Sequence, residues 1–132
     1  MLTIGIRGGQ SALVTEHNTA KAVGSGALEV FSTPSMIALM EAAASASVAP
    51  FLDEGCGTVG TRVDVRHTAA TPLGMTVRCE SELTGIDGRR LVFSVAAYDD
   101  SGLIGEGTHE RCIVQKSRFM DKALRKKEAC RP

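Results

Sequence analysis

Between Pro34 and Ala49 the chain carries one charge, Glu41, in a run otherwise built from Ala, Ser, Met, Ile, Leu and Val. This run constrains the fold more than any other stretch. Alanine, leucine and methionine are strong helix formers. Ser32 or Thr33 offers an N-cap, Pro34 suits the first turn, and Pro50 limits continuation. A helix is therefore expected from about Pro34 to Val48. No face of it is plainly polar, and a helix that is apolar nearly all round has to be covered on most sides.

After Gly57 the apolar period changes from helical to two. In "TVGTRVDVRHT", Val59, Thr61, Val63, Val65 and His67 fall on one face, with Gly60, Arg62, Asp64 and Arg66 on the other. "MTVRCESEL" alternates again, with Met75, Val77, Cys79 and Leu83 inward. Asp87-Gly88 signals a hairpin. "RLVFSVAAYD" is apolar on both faces, so it reads as a central strand needing cover on its far side, which points to sheet-to-sheet dimerisation. "DDSG" makes a second turn, "LIGEGTHERCIVQ" a further strand, and "RFMDKALRKKEA" a short closing helix. Upstream, "MLTIGI" and "SALVTEHNTA" are each strand candidates, and "KAVGSGALEVF" reads as a mobile segment or bent strand. Short turns between consecutive strands make antiparallel neighbours. The economical solution is α+β: a curved antiparallel sheet wrapped around one long central helix.

At 132 residues, 1–132 reads as one domain, with a basic tail over 116–132 carrying seven Lys/Arg against two Asp/Glu. That tail lacks the interleaved aromatics of a nucleic-acid platform. No apolar run approaches a membrane span, and the first residues lack a signal-peptide layout, so a cytoplasmic location is expected. Cys56, Cys79, Cys112 and Cys130 are scattered, without C-x-x-C or zinc-like spacing. Free thiols and no metal are expected.

Two polar residues stand where apolar ones belong. Glu41 shares a helix face with Ile37 and Ala44, so it needs a cavity or a partner. His67 falls in phase with Val63 and Val65 at its strand's end, where it is either a satisfied core histidine or that partner. A carboxylate and an imidazole meeting at a cavity would shift each other's pKa and perform acid–base chemistry. Thr33, two turns before Glu41, is either a cap or a neighbour of the same cavity. Gly60, among β-branched residues, marks a bulge or a close backbone approach. Arg111 is a candidate ligand contact if its strand's inward parity includes it, and the other rim arginines, Arg62, Arg66, Arg89 and Arg90, are candidates for phosphate.

"STPSMIALMEAAA", "HTAATPLG" and "GTHER" together, over about Val30 to Val114, resemble the hotdog-fold thioesterases of the fluoroacetyl-CoA thioesterase-like group. The resemblance implies a hotdog fold paired into homodimers and hydrolysis of a small acyl-CoA to free acid and CoA, with no cofactor besides that substrate. It implies that Thr33, Glu41 and His67 are catalytic. Glu41 would act as nucleophile or as base toward water, His67 as general acid or base, and Thr33 as the orienting residue. Gly60 would lie near the thioester. The segment Val23–Leu28, at the lid position, holds no aromatic residue. The alternative on the same scaffold is a non-catalytic acyl-CoA-binding or regulatory module, and a hotdog dehydratase is a third reading.

Overall fold

Ser32 starts the long helix. Its hydroxyl accepts the Ser35 N–H at 3.1 Å, and Pro34 follows in the first turn. In the computed structural model, residues 1–130 are described. The last two residues of the expected basic tail lie outside them. The chain order is β1 (Arg7–Leu13), α1 (Ala20–Val23), α2 (Thr33–Val48), a single 3-10 turn (Ala49–Phe51), β2 (Cys56–His67), β3 (Thr76–Asp87), β4 (Arg90–Asp99), β5 (Gly102–Gln115) and α3 (Lys116–Ala129).

All five strands form one antiparallel sheet in the order β1-β3-β4-β5-β2. The β3–β4 hairpin turns at Gly88 and Arg89, where Gly88 takes φ +60°, a value that glycine reaches at little cost. The sheet covers α2 through Met36, Met40, Ala43, Ala44 and Val48. These pack with Phe31, Val77, Leu83, Leu91, Phe93 and Val95 into one core. Each large apolar side chain buried there contributes ~1.5–3 kcal/mol. Cys79 lies in the same core, and burial pushes its thiol up to about 12.

The structure departs from the sequence reading in two places. First, β1 is "RGGQSAL", which fills the gap between the two upstream candidates and takes in only the first three residues of the second, Ser11 to Leu13. Gly8 lets this strand lie against the helix, because a Cβ there would stand 2.5 Å from the Ala43 carbonyl oxygen. Second, "KAVGSGALEVF" begins as a one-turn helix capped by Thr19, whose hydroxyl accepts from Ala22 N at 3.1 Å. As expected, α2 is covered on most sides but not all: Ala38, Ala42 and Ala46, spaced one turn apart, are exposed. The far face of β4, expected to need cover from a second copy, is open in the single chain. There Ser94 is exposed, and Tyr98 packs under the Arg78 guanidinium at 4.8 Å. No helix among the described residues is long and apolar enough to cross a membrane.

Candidate active site

The site begins with a bulge. Gly60 pairs with Arg111, but the next pair is Arg62 with Glu110, so Thr61 is an extra residue in β2. An extra residue reverses the inward–outward phase of a strand. Downstream of it, Val63 and Val65 keep the expected phase. Upstream it is Thr58 and Gly60, not Val59, that share a face with Arg111. The hydroxyl of Thr61 donates to the Glu110 carbonyl at 3.1 Å, which anchors the bulge.

This phase aims Gly60 at the helix. A Cβ on Gly60 would collide with Glu41 Oε2 and lie 3.3 Å from Arg111 Nη1. Glycine is thus what allows the carboxylate to reach the sheet. Arg111 is buried, and each of its three guanidinium nitrogens makes a hydrogen bond. Nε donates to Thr58 Oγ1 at 2.8 Å, and Nη2 to the Thr58 carbonyl at 3.0 Å. Nη1 donates to Glu41 Oε2 at 3.0 Å. Burial lowers the Arg111 pKa from its ordinary value, and the charge and hydrogen bond of Glu41 oppose that shift.

His109 completes the clamp. Its ring is 1% exposed and stacks on Phe93 with centroids 6.0 Å apart. Nδ1 lies 2.8 Å from the Arg62 carbonyl, which can only accept, so Nδ1 carries the proton. Burial chiefly, with help from the Arg111 charge, lowers the His109 pKa. In the neutral ring Nε2 is then an acceptor, and it takes an N–H from Arg111 Nη1 at 3.2 Å. The 4.0 Å approach of Nε2 to Glu41 is therefore bridged by Arg111 and is no hydrogen bond of its own. Glu41 itself is 39% exposed at the side chain, and Oε1 has no hydrogen-bond partner among the described residues.

A second cluster lies near the N-terminus of α2. Ser32 is the cap, which leaves the Thr33 hydroxyl free, and it lies 2.8 Å from His67 Nδ1. His67 Nε2 is buried without a partner among the described residues. Burial lowers the His67 pKa, against a raising effect from a backbone hydrogen bond at Ala69. Thr33 and His67 line a cavity of about 290 Å³ with Ala20, Ser25, Phe31 and Ala69.

The expected residues thus form two groups. Thr33 meets His67, and Glu41 meets Gly60 and Arg111. Within one chain Glu41 pairs with Arg111 and not with His67: eight residues of helix, ~12 Å of rise, separate Thr33 from Glu41. The sequence pattern alone does not single out His109. The odd spacing of His109 and Arg111, on the parity of Ile113, was the available signal. Glu110, of the other parity, lies between Arg62 and Arg90 on the outer face.

The profile of a family described as fluoroacetyl-CoA-specific thioesterase matches residues 14–117. A fluoroacetyl-CoA thioesterase of Streptantibioticus cattleyicolor is 46% identical over 101 residues, 76% of this chain and 73% of that one. The solved fluoroacetyl-CoA thioesterase FlK superposes with a TM-score of 0.89 at 38% identity, covering 96% of this chain and 98% of its own. A variant of FlK in complex with acetyl-CoA also superposes at 0.89, with 37% identity over 95% and 98% of the two chains.

Proposed function

The chain belongs to the fluoroacetyl-CoA-specific thioesterase family and is an acyl-CoA thioester hydrolase on a hotdog scaffold, and on that premise we propose how its own residues carry the reaction. One observation carries the reading. Glu41, the sole charge on its helix, has one oxygen clamped by Arg111 and the other free. That free oxygen starts the reaction at the thioester carbonyl, as nucleophile or as base. It either forms a mixed anhydride that water then hydrolyses, or takes a proton from the water that attacks. In both routes the C–S bond breaks, the acyl carbon gains oxygen, and the sulfur leaves as thiolate and takes up a proton.

His67 is suited to relay that proton, taking one from water onto its neutral ring and then giving it, as the imidazolium, to the departing thiolate. Its depressed pKa favours the neutral ring near pH 7. The Thr33 hydroxyl can donate to or accept from Nδ1, so Nε2 can stand with or without its proton. Gly60 keeps the backbone close to the reacting carboxylate. The cavity beside Thr33 and His67 suits a short acyl group, and its lid segment, Val23–Leu28, supplies no aromatic wall.

The separation of the two clusters is resolved by a homodimer. The middle of β2, residues 60–64, is an exposed sheet edge, and the Ala38–Ala42–Ala46 stripe of α2 is exposed too. Long unpaired edges and small-residue faces both favour close packing against a second copy. Antiparallel pairing of that edge with itself would bring His67 of one copy toward Gly60 and Glu41 of the other. Four free cysteines suit a reducing compartment, which supports a cytoplasmic location. Thiol release from a panel of short acyl-CoAs, with sedimentation to establish the dimer, tests this reading. Hydrolysis by a dimer supports it, and a monomer with full activity contradicts the shared site.

A further inference from the structure

The charge on this molecule is unevenly matched. On the sheet, Arg7, Arg62, Arg78, Arg90 and Arg111 each sit against a carboxylate. Four other cations, Arg89, Arg118, Lys122 and Arg125, line a single cavity of about 380 Å³ between the β3–β4 turn and α3. Among the described residues none of these four forms an ion pair, and Asp121 is the one carboxylate on the lining. Arg118, Lys122 and Arg125 recur at helical spacing, so they share a face of α3. Arg89 is fixed from the other side, because its carbonyl accepts the Ile113 N–H at 2.8 Å. Phe119 lines the same cavity with its side chain 42% exposed.

Four unpaired cations around one concavity repel each other and raise the local concentration of a multiply charged anion. An aromatic ring at the rim adds a face on which a base can stack. The cavity also lies along the same strand as the proposed site. Strand β5 runs on from Arg111, which holds Glu41, to Gln115 on the cavity wall, four residues or ~13 Å at strand rise.

We propose that this cavity cradles the adenosine and phosphate end of the CoA thioester. The 3′-phosphate and diphosphate would lie among Arg89, Arg118, Lys122 and Arg125, with the adenine against Phe119. This rests on the thioesterase reading and extends it from the acyl end of the substrate to the nucleotide end. It also selects CoA over a thioester carried on a protein, which has no nucleotide to bind there.

The test is calorimetric titration of the wild type, of Arg118→Glu/Arg125→Glu and of Lys126→Glu with free CoA, dephospho-CoA and pantetheine. Lys126 is on the same helix and makes the same charge change outside the cavity lining. Circular dichroism confirms that the variants keep their helix content. The double variant is expected to bind CoA about tenfold or more weakly, the scale of losing charge-assisted hydrogen bonds, with a smaller loss for dephospho-CoA and no loss for pantetheine. The proposal is overturned if the double variant binds CoA within about twofold of wild type, a change too small for such bonds. It is also overturned if Lys126→Glu loses as much, or if the wild type binds CoA no tighter than pantetheine. If the CoA contrast appears but the wild type cleaves no acyl-CoA, the hydrolase reading fails and the cradle stands.

Discussion

Arg111 Nη1 and Glu41 Oε2 meet at 3.0 Å across 70 positions of sequence, and the same nitrogen contacts His109 Nε2 at 3.2 Å. The carboxylate is held by a donor that is itself held at both ends. Arg111→Met should therefore lower kcat by about 10²-fold, the scale of losing one preorganised electrostatic donor, with a smaller effect on KM. Arg111→Lys should recover only part, because an ammonium cannot reproduce the fork that also grips Thr58. Steady-state kinetics on a hydrolysed acyl-CoA checks both.

Gly60→Ala places a methyl group against Glu41 Oε2 and Arg111 Nη1. Either the carboxylate or the bulge has to move. A misplacement of about 1 Å at a reacting group costs about 10²-fold. The expected variant is folded, with kcat reduced on that scale, and circular dichroism together with kinetics separates this from unfolding.

Ser32 and Thr33 have separate tasks, which a paired substitution resolves. Ser32→Ala removes the helix cap and should cost about 1 kcal/mol of stability. Thr33→Val leaves the cap intact and removes the bond to His67 Nδ1, so activity should fall while stability changes little. Thr33→Ser should restore much of that activity. Denaturant midpoints and kcat/KM, measured side by side, distinguish the two roles.

Burial lowers the pKa of both His67 and His109 from 6.5. As pH falls through that value, the unfolded chain takes up protons that the folded chain does not. Stability should therefore decline below about pH 6.5 and level off only when the folded-state rings protonate. His109→Gln should reduce this slope, since it removes one of the two rings. Urea midpoints taken from about pH 8 to about pH 5 give the sign directly.

Much of the architecture was legible because local and tertiary signals agree. The alanine- and methionine-rich run makes α2, period-two alternation marks β2 and β3, and a run apolar on both faces marks β4 as central. The bounds of the N-terminal strand were not legible because its two adjacent glycines weaken any strand pattern, and Gly8, which pairs with Ser81, is the residue that clears the Ala43 carbonyl. Glu41, Thr33, Gly60 and His67 each stood out as a polar or small residue in an apolar pattern. Which of them touch was not legible, since the bulge at Thr61 shifts the phase of β2 by one residue and periodicity cannot show an insertion. His109 was hidden for a different reason. A histidine between Thr108 and Glu110 looks solvated until the Arg62 carbonyl and Phe93 are seen to enclose it.

The most direct test compares wild type with Glu41→Gln, which keeps the shape of the side chain and removes its charge, by following thiol release from acetyl-CoA, fluoroacetyl-CoA and longer short-chain acyl-CoAs. The wild type is predicted to turn over at least one of them, and Glu41→Gln to retain no more than about 10⁻³ of that rate, the scale of losing a catalytic nucleophile or base, with an unchanged thermal midpoint. Equal rates for the two proteins, or a wild type inert across the panel, would contradict the assignment of Glu41 as the residue that cleaves the thioester.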